Sequence, residues 1–217
     1  MNTYFITGTD TDCGKTYITC QLLAYFKSQN NRVVGIKPVA SGCKDSARGL
    51  FSEDELLLNE LNPSFAHVSS PWRFKEPIAP HIAAHYASVN LNIADIADYC
   101  FAPHYKNQDI VLIEGAGGLM VPLNEKETWL DFLKYTGIPV ILVVGIRLGC
   151  INHALLTEAV MKSNQISCAG WIANCLDPNM MALGENISIL KERMGMPLIT
   201  TVPFQGKITH LMHNSNL

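Results

Sequence analysis

Six short runs of apolar or β-branched residues punctuate the chain: TYFIT at 3–7, RVVGIK at 32–37, DIVLIE at 109–114, PVILVVG at 139–145, CAGWIAN at 168–174 and PLITTV at 197–202. Each has the length and side-chain type of a strand. The intervening stretches 15–28, 53–61, 92–101, 127–136, 151–164 and 180–194 carry apolar residues three and four apart, the spacing of one helix face. Strand and helix alternate, which predicts an α/β fold with a mostly parallel central sheet and helices on both faces. The longest strongly apolar run, IPVILVVGI at 138–146, is too short to span a bilayer and reads as a buried strand. PWRFKEPIAPH at 71–81 is expected to be an ordered loop, and no repeat or linker divides the chain, so residues 1–217 are expected to form one domain.

In such sheets ligands gather beyond the carboxyl ends of the strands, so chemistry is sought just after each apolar run. The first run is followed by GTDTDCGKT at 8–16 and then by the helical YITCQLLAYF. Strand, glycine loop and helix are the context of a phosphate-binding loop, and the fold expected is P-loop NTPase-like. Backbone N–H groups at the helix start would face the phosphates, Lys15 would reach the β and γ oxygens, and the Thr16 hydroxyl would meet Mg²⁺. One irregularity stands out: five residues, not four, separate Gly8 from Gly14.

Three further strand ends bear on the same edge. KPVASG at 37–42 places Lys37 and Ser41 there, although a strand-end lysine is ordinarily a solvated charge. DIVLIEGAGG ends on Glu114, a hard oxygen ligand for Mg²⁺, followed by Gly115, Ala116 and Gly117, where the backbone can approach a ligand closely. SEDELLL opens a helix with a serine cap, which gives Asp54 an ordinary reading as an acid of the first turn. His81 and His85 share a helical spacing but lack the acid and third ligand of a zinc site.

Charge and cysteine content narrow the classes. Sixteen Lys and Arg against nineteen Asp and Glu give a net charge of −3, which provides no field for a nucleic-acid backbone, so any anion must be held locally. Seven cysteines without a C-x-x-C pair read as reduced thiols. MNTYFITGT carries no mark of export, and a cytoplasmic enzyme with no membrane partner is expected.

Taken in order, GTDTDCGKT, KPVASG, EPIAPH, EGAGG, PVILVVGIRLGCINHALLT and GWIANC resemble the dethiobiotin synthetase family across nearly the whole chain. That family shares the phosphate loop with five residues between its glycines. The resemblance implies a Mg²⁺- and ATP-dependent carboxylase late in biotin synthesis. Its substrates are 7,8-diaminononanoate and CO₂, joined through a carbamate and a carbamic–phosphoric anhydride into a cyclic urea, with ADP and phosphate released.

Carried over by motif, Lys15 and Lys37 would stabilise the transferring phosphoryl group, with Thr11 and Ser41 lining the phosphate and carbamate pocket. Thr16, Asp54 and Glu114 would hold Mg²⁺ directly or through water. Asp12, Cys13, Gly14, Lys15, Thr16 and Tyr17 would contact the nucleotide, as would Asp54, the segment Glu114 to Gly117, and Asn174 with Cys175 near the base. The family's homodimers supply a contact to the substrate's far carboxylate from the partner chain, which falls here on Gly149, Cys150, Ile151 and Asn152, so the site is expected near a subunit interface.

Asp12 stands where glutamate is common and Cys13 where an aliphatic is usual. The tail TTVPFQGKITHLMHNSNL departs from the family segment that helps enclose the base, leaving another purine triphosphate open beside ATP. Nucleotide-switched partition ATPases of the related group carry a second lysine five positions before the loop lysine, where this chain has Asp10. A corrin-amidating ligase needs an additional glutaminase domain for which 217 residues leave no room. A small-molecule kinase would need a general base or acceptor hydroxyl in place of CO₂ chemistry.

Overall fold

The computed structural model describes residues 1–47, 49–65 and 70–212. Residues 213–217 of the divergent tail lie outside them. The six apolar runs form β1 (Asn2–Gly8), β2 (Val33–Ile36), β3 (Ile110–Gly118), β4 (Val140–Ile146), β5 (Cys168–Cys175) and β6 (Leu198–Val202). They make one sheet in the order β6-β5-β4-β1-β3-β2, with every neighbouring pair parallel. Successive side chains alternate between its faces: Tyr4 and Ile6 enter one core and Phe5 the other, and in β4 Ile141 and Val143 oppose Val140, Leu142 and Val144. Every residue of β4 is buried, which explains why its sequence reads as continuous rather than alternating apolar residues.

The helices are α1 (Lys15–Ser28), α2 (Glu53–Leu61), α3 (Pro80–Tyr86), α4 (Ile93–Cys100), α5 (Trp129–Thr136), α6 (Cys150–Ser163) and α7 (Leu183–Arg193). Leu22, Leu23 and Phe26 of α1 and Leu58 of α2 fill one core, while Ile96 of α4, Phe132 of α5, Ala154 of α6 and Leu190 of α7 fill the other. Caps fix where several helices begin. Ser52 accepts the Glu55 N–H at 2.9 Å, as the sequence led one to expect, and Asn92 accepts the Asp95 N–H at the same distance. Thr128 and Asp131 form a reciprocal capping box, and Gly137 closes α5 at φ 68°, a conformation that favours glycine. Among the described residues no helix is long and apolar enough to cross a membrane.

The stretch 71–81 departs from its expected loop. Trp72–Arg73 pairs in parallel with Val39–Ala40, and Pro80 begins a helix that carries His81 and His85. Proline suits that first position because its missing N–H would have had no intrahelical partner. Lys44–Ser46 and Gly49–Phe51 add a short antiparallel pair.

Trp129 is fully buried, 5.2 Å from the Phe5 ring and 5.6 Å from Phe132 between centroids, and its indole N–H donates to the Ala116 carbonyl at 3.0 Å. It therefore fastens α5 to the segment that follows Glu114. Trp129→Ala is expected to cost about 3–5 kcal/mol of stability, read as a lower urea midpoint. An unchanged midpoint would show that the core closes over the gap.

Candidate active site

The loop from β1 to α1 sits at the carboxyl edge of the sheet, where Thr9 N–H still donates to the Val143 carbonyl at 3.0 Å. Gly14 takes φ 86° and lies against Asn174, so a Cβ there would strike the Asn174 amide, which itself donates to the Cys13 carbonyl at 2.9 Å. Cys13 is buried beneath the loop with its sulfur against Gly8. One of the five residues between the glycines is thus turned into the core. Lys15 is 5% exposed, and its ammonium donates to the carbonyls of Asp10 and Thr11, each at 3.0 Å. The first N–H groups of α1, which starts at this lysine, lack partners within the helix and suit an anion.

Four elements bring a second cluster beside that loop. Lys37 follows β2, Asp54 stands in the first turn of α2, Glu114 lies in β3 and Thr16 in α1. The Lys37 ammonium donates to Glu114 Oε1 at 2.8 Å and to the Asp54 carboxylate, and the Thr16 hydroxyl donates to Glu114 Oε1 at 2.6 Å. Glu114 is wholly buried, and its Oε2 has no hydrogen-bond partner. Burial alone would push the Lys37 pKa down, but the charges of Glu114 and Asp54 more than reverse it, so the pKa is raised. Burial pushes Asp54 up, and the Lys37 ammonium outweighs it and leaves this carboxyl below its ordinary range.

Thr11, Asp12, Gly14, Lys15, Thr16, Lys37, Ser41, Asp54, Glu114, Ala116 and Gly117 all face one cleft of about 670 Å³. The Ser41 hydroxyl is buried in its wall without a partner. Pro77, Ile78, Ala79 and Pro80 form another part of the wall; they belong to the EPIAPH motif, which sequence reasoning did not place among the site residues. Other expected residues fall outside the lining. Cys13 lies under the loop, and Gly115 packs against the Phe5 ring. The Tyr17 hydroxyl donates to the Gly206 carbonyl and so joins α1 to the tail. Asn174 and Cys175 end β5 behind the loop. Gly149, Cys150, Ile151 and Asn152 lie at the start of α6, on the same sheet edge but outside this lining. A separate hollow of about 740 Å³ around His85, Leu123 and Glu127 contains neither loop lysine nor Lys37.

Thr16, Asp54 and Glu114 form a hard oxygen set suited to Mg²⁺, and the unpartnered Glu114 Oε2 is a buried acceptor such an ion would satisfy. Among the described residues no group of three or more His, Cys, Asp or Glu could hold a metal unaided. Two carboxylates with phosphate and water completing the shell are the usual terms for magnesium.

The AAA domain family model matches residues 2–211. The ATP-dependent dethiobiotin synthetase of Legionella pneumophila (strain Corby) is 50% identical over 215 residues, covering 99% of this chain and 100% of that protein. The corresponding protein of Nitrosospira multiformis is 44% identical over 203 residues, covering 93% and 88%. The chain belongs to the dethiobiotin synthetase family.

As a dethiobiotin synthetase it is an ATP-dependent ligase of biotin biosynthesis. The fold reaches beyond the family. A ParA family ATPase from Chlorobium tepidum TLS superposes with a TM-score of 0.56 at 14% identity, covering 93% of this chain and 83% of that one. The septum site-determining protein MinD of Pyrococcus horikoshii OT3 gives 0.56 at 14%, covering 93% and 81%. At that identity the likeness concerns architecture alone, a P-loop NTPase-like parallel sheet flanked by helices.

Proposed function

We propose that residues 1–217 form one catalytic unit that carboxylates 7,8-diaminononanoate with CO₂ at the expense of ATP and closes the ureido ring of dethiobiotin. An amine nitrogen attacks CO₂ and loses a proton to give the carbamate. A carbamate oxygen attacks the γ-phosphorus and ADP departs. The neighbouring amine then attacks the carbonyl carbon of the mixed anhydride, expelling phosphate as the ring closes.

The observation that carries this reading is the joining of Lys15 and Lys37 in one cleft, from beyond the two strands, β1 and β2, that flank β3. Two anions must be brought together, and fixed ammonium groups and backbone donors lower that cost without covalent help from the protein. Lys15 and the α1 N-terminus would cradle the phosphates. Lys37 would face the transferring group, with Thr11 and Ser41 beside the carbamate. Thr16, Asp54 and Glu114 would hold Mg²⁺, which when bound supplies Lewis-acid stabilisation of the phosphate charge. Two lysines, Lys15 and Lys37, stand against three carboxylates, Asp12, Asp54 and Glu114, so the cleft favours taking up the anionic nucleotide together with its cation.

The open start of α6 supports an anion site for the substrate carboxylate. Leu148 beside it is 99% exposed and Leu156 further along α6 is 58% exposed, which supports covering of this face by a second copy in a homodimer. The function assigned here belongs in the cytoplasm. Tyr17 and the 203–212 segment beside α1 are expected to bear on the nucleotide base, with ATP as co-substrate.

Protein incubated with the diamine, labelled bicarbonate and MgATP is expected to yield acid-stable label and ADP in equal amounts. Label fixed without the diamine, or ADP formed only with an unrelated hydroxyl acceptor, would reject the reading.

A further inference from the structure

Asp10 occupies the loop position where the partition ATPases carry their second lysine, and it forms an ion pair with Arg147, just past the carboxyl end of β4. The contact spans 137 positions of sequence. Each partner is also tied to the backbone of its own segment. Asp10 Oδ1 accepts the Thr11 N–H at 2.7 Å, and the Asp10 carbonyl accepts the Lys15 ammonium at 3.0 Å. The Arg147 carbonyl accepts the Cys150 N–H at 3.0 Å, closing the turn in which Gly149 takes φ 93° before α6.

We infer that Arg147 is a positioning residue: through Asp10 it holds the phosphate loop in the shape that presents Lys15, and it fastens that loop to the turn that opens α6. The Thr11 N–H is the main cause that holds the Asp10 carboxyl below its ordinary range; Arg147 and His153 add to this against the opposing effect of burial. One acid thus serves as acceptor for its own loop and as anchor for a distant strand end. Both side chains are roughly two-fifths exposed, so the pair adds little to global stability, and its effect should fall on the loop.

The nucleotide role of that loop rests on the proposed function, so the test begins on nucleotide-free protein. In R147M and in D10N the Thr11 amide resonance is expected to lose its hydrogen-bonded shift, with R147K restoring it. The dissociation constant for MgATP, measured by calorimetry, should rise by about fivefold in each single variant and no further in the double variant. An unmoved Thr11 resonance in R147M, or losses of affinity that add in the double variant, would overturn the inference. Wild-type protein that binds no MgATP would defeat the functional reading, while the Thr11 resonance still decides the role of Arg147.

Discussion

Lys37→Gln is expected to cut dethiobiotin formation by about a thousandfold while MgATP still binds, because the variant keeps the phosphate loop and loses the fixed charge that, on the proposed function, would face the reacting oxygens. Turnover and nucleotide affinity measured on the same preparation separate the two effects; equal loss of both would make Lys37 a structural residue. Stability should move as well. With Lys37 gone, Glu114, wholly buried, and Asp54 are left without their shared cation, a change of the kind that costs about 3–5 kcal/mol in a buried pair. Added Mg²⁺ is expected to return part of that loss, so the variant's melting temperature should respond to the metal more steeply than the parent's.

Acidification reaches the same pair from the other side. The folded pKa of Asp54 lies below its unfolded value, so its contribution is complete above about pH 4 and drains away as pH falls through the folded value.

Glu114→Gln is the second large expected effect. The shape is kept, but the only wholly buried carboxylate of the cluster becomes a neutral amide, and the unpartnered Oε2 position loses its acceptor character in one amide orientation. The Mg²⁺ concentration for half-maximal activity should rise by about 10–100-fold, with turnover recovering as Mg²⁺ is increased. A variant whose activity stays low at every Mg²⁺ concentration, with an unchanged half-maximal value, would remove Glu114 from the metal's surroundings and leave it as the counter-ion of Lys37.

Much of the sheet was legible because β1, β3, β4 and β5 are buried on both faces and so read as continuous apolar runs. GTDTDCGKT could be placed because a strand and a helix bracket it. Asp54 was ambiguous for a physical reason: an acid in the first turn of a helix is favoured there with or without a metal, and its meeting with Lys37, 17 positions away, shows only in the fold. The helix Pro80–Tyr86 was missed because seven residues behind a cluster of prolines show too little periodicity. No local pattern announces the Asp10–Arg147 pair, whose members are brought together only when β1 and β4 lie side by side. The tail's contact with Tyr17 is equally non-local.

The central place of β1 also governs how the molecule can be born. Its first seven residues after Met1 find both neighbours only in later chain, Ile6 opposite Glu114 on one side and Ile141 on the other. A ribosome must release about half of residues 1–217 before this strand acquires its first companion in the sheet, and more before it acquires the second. Until then the nascent segment keeps two bare edges, a natural client for a chaperone.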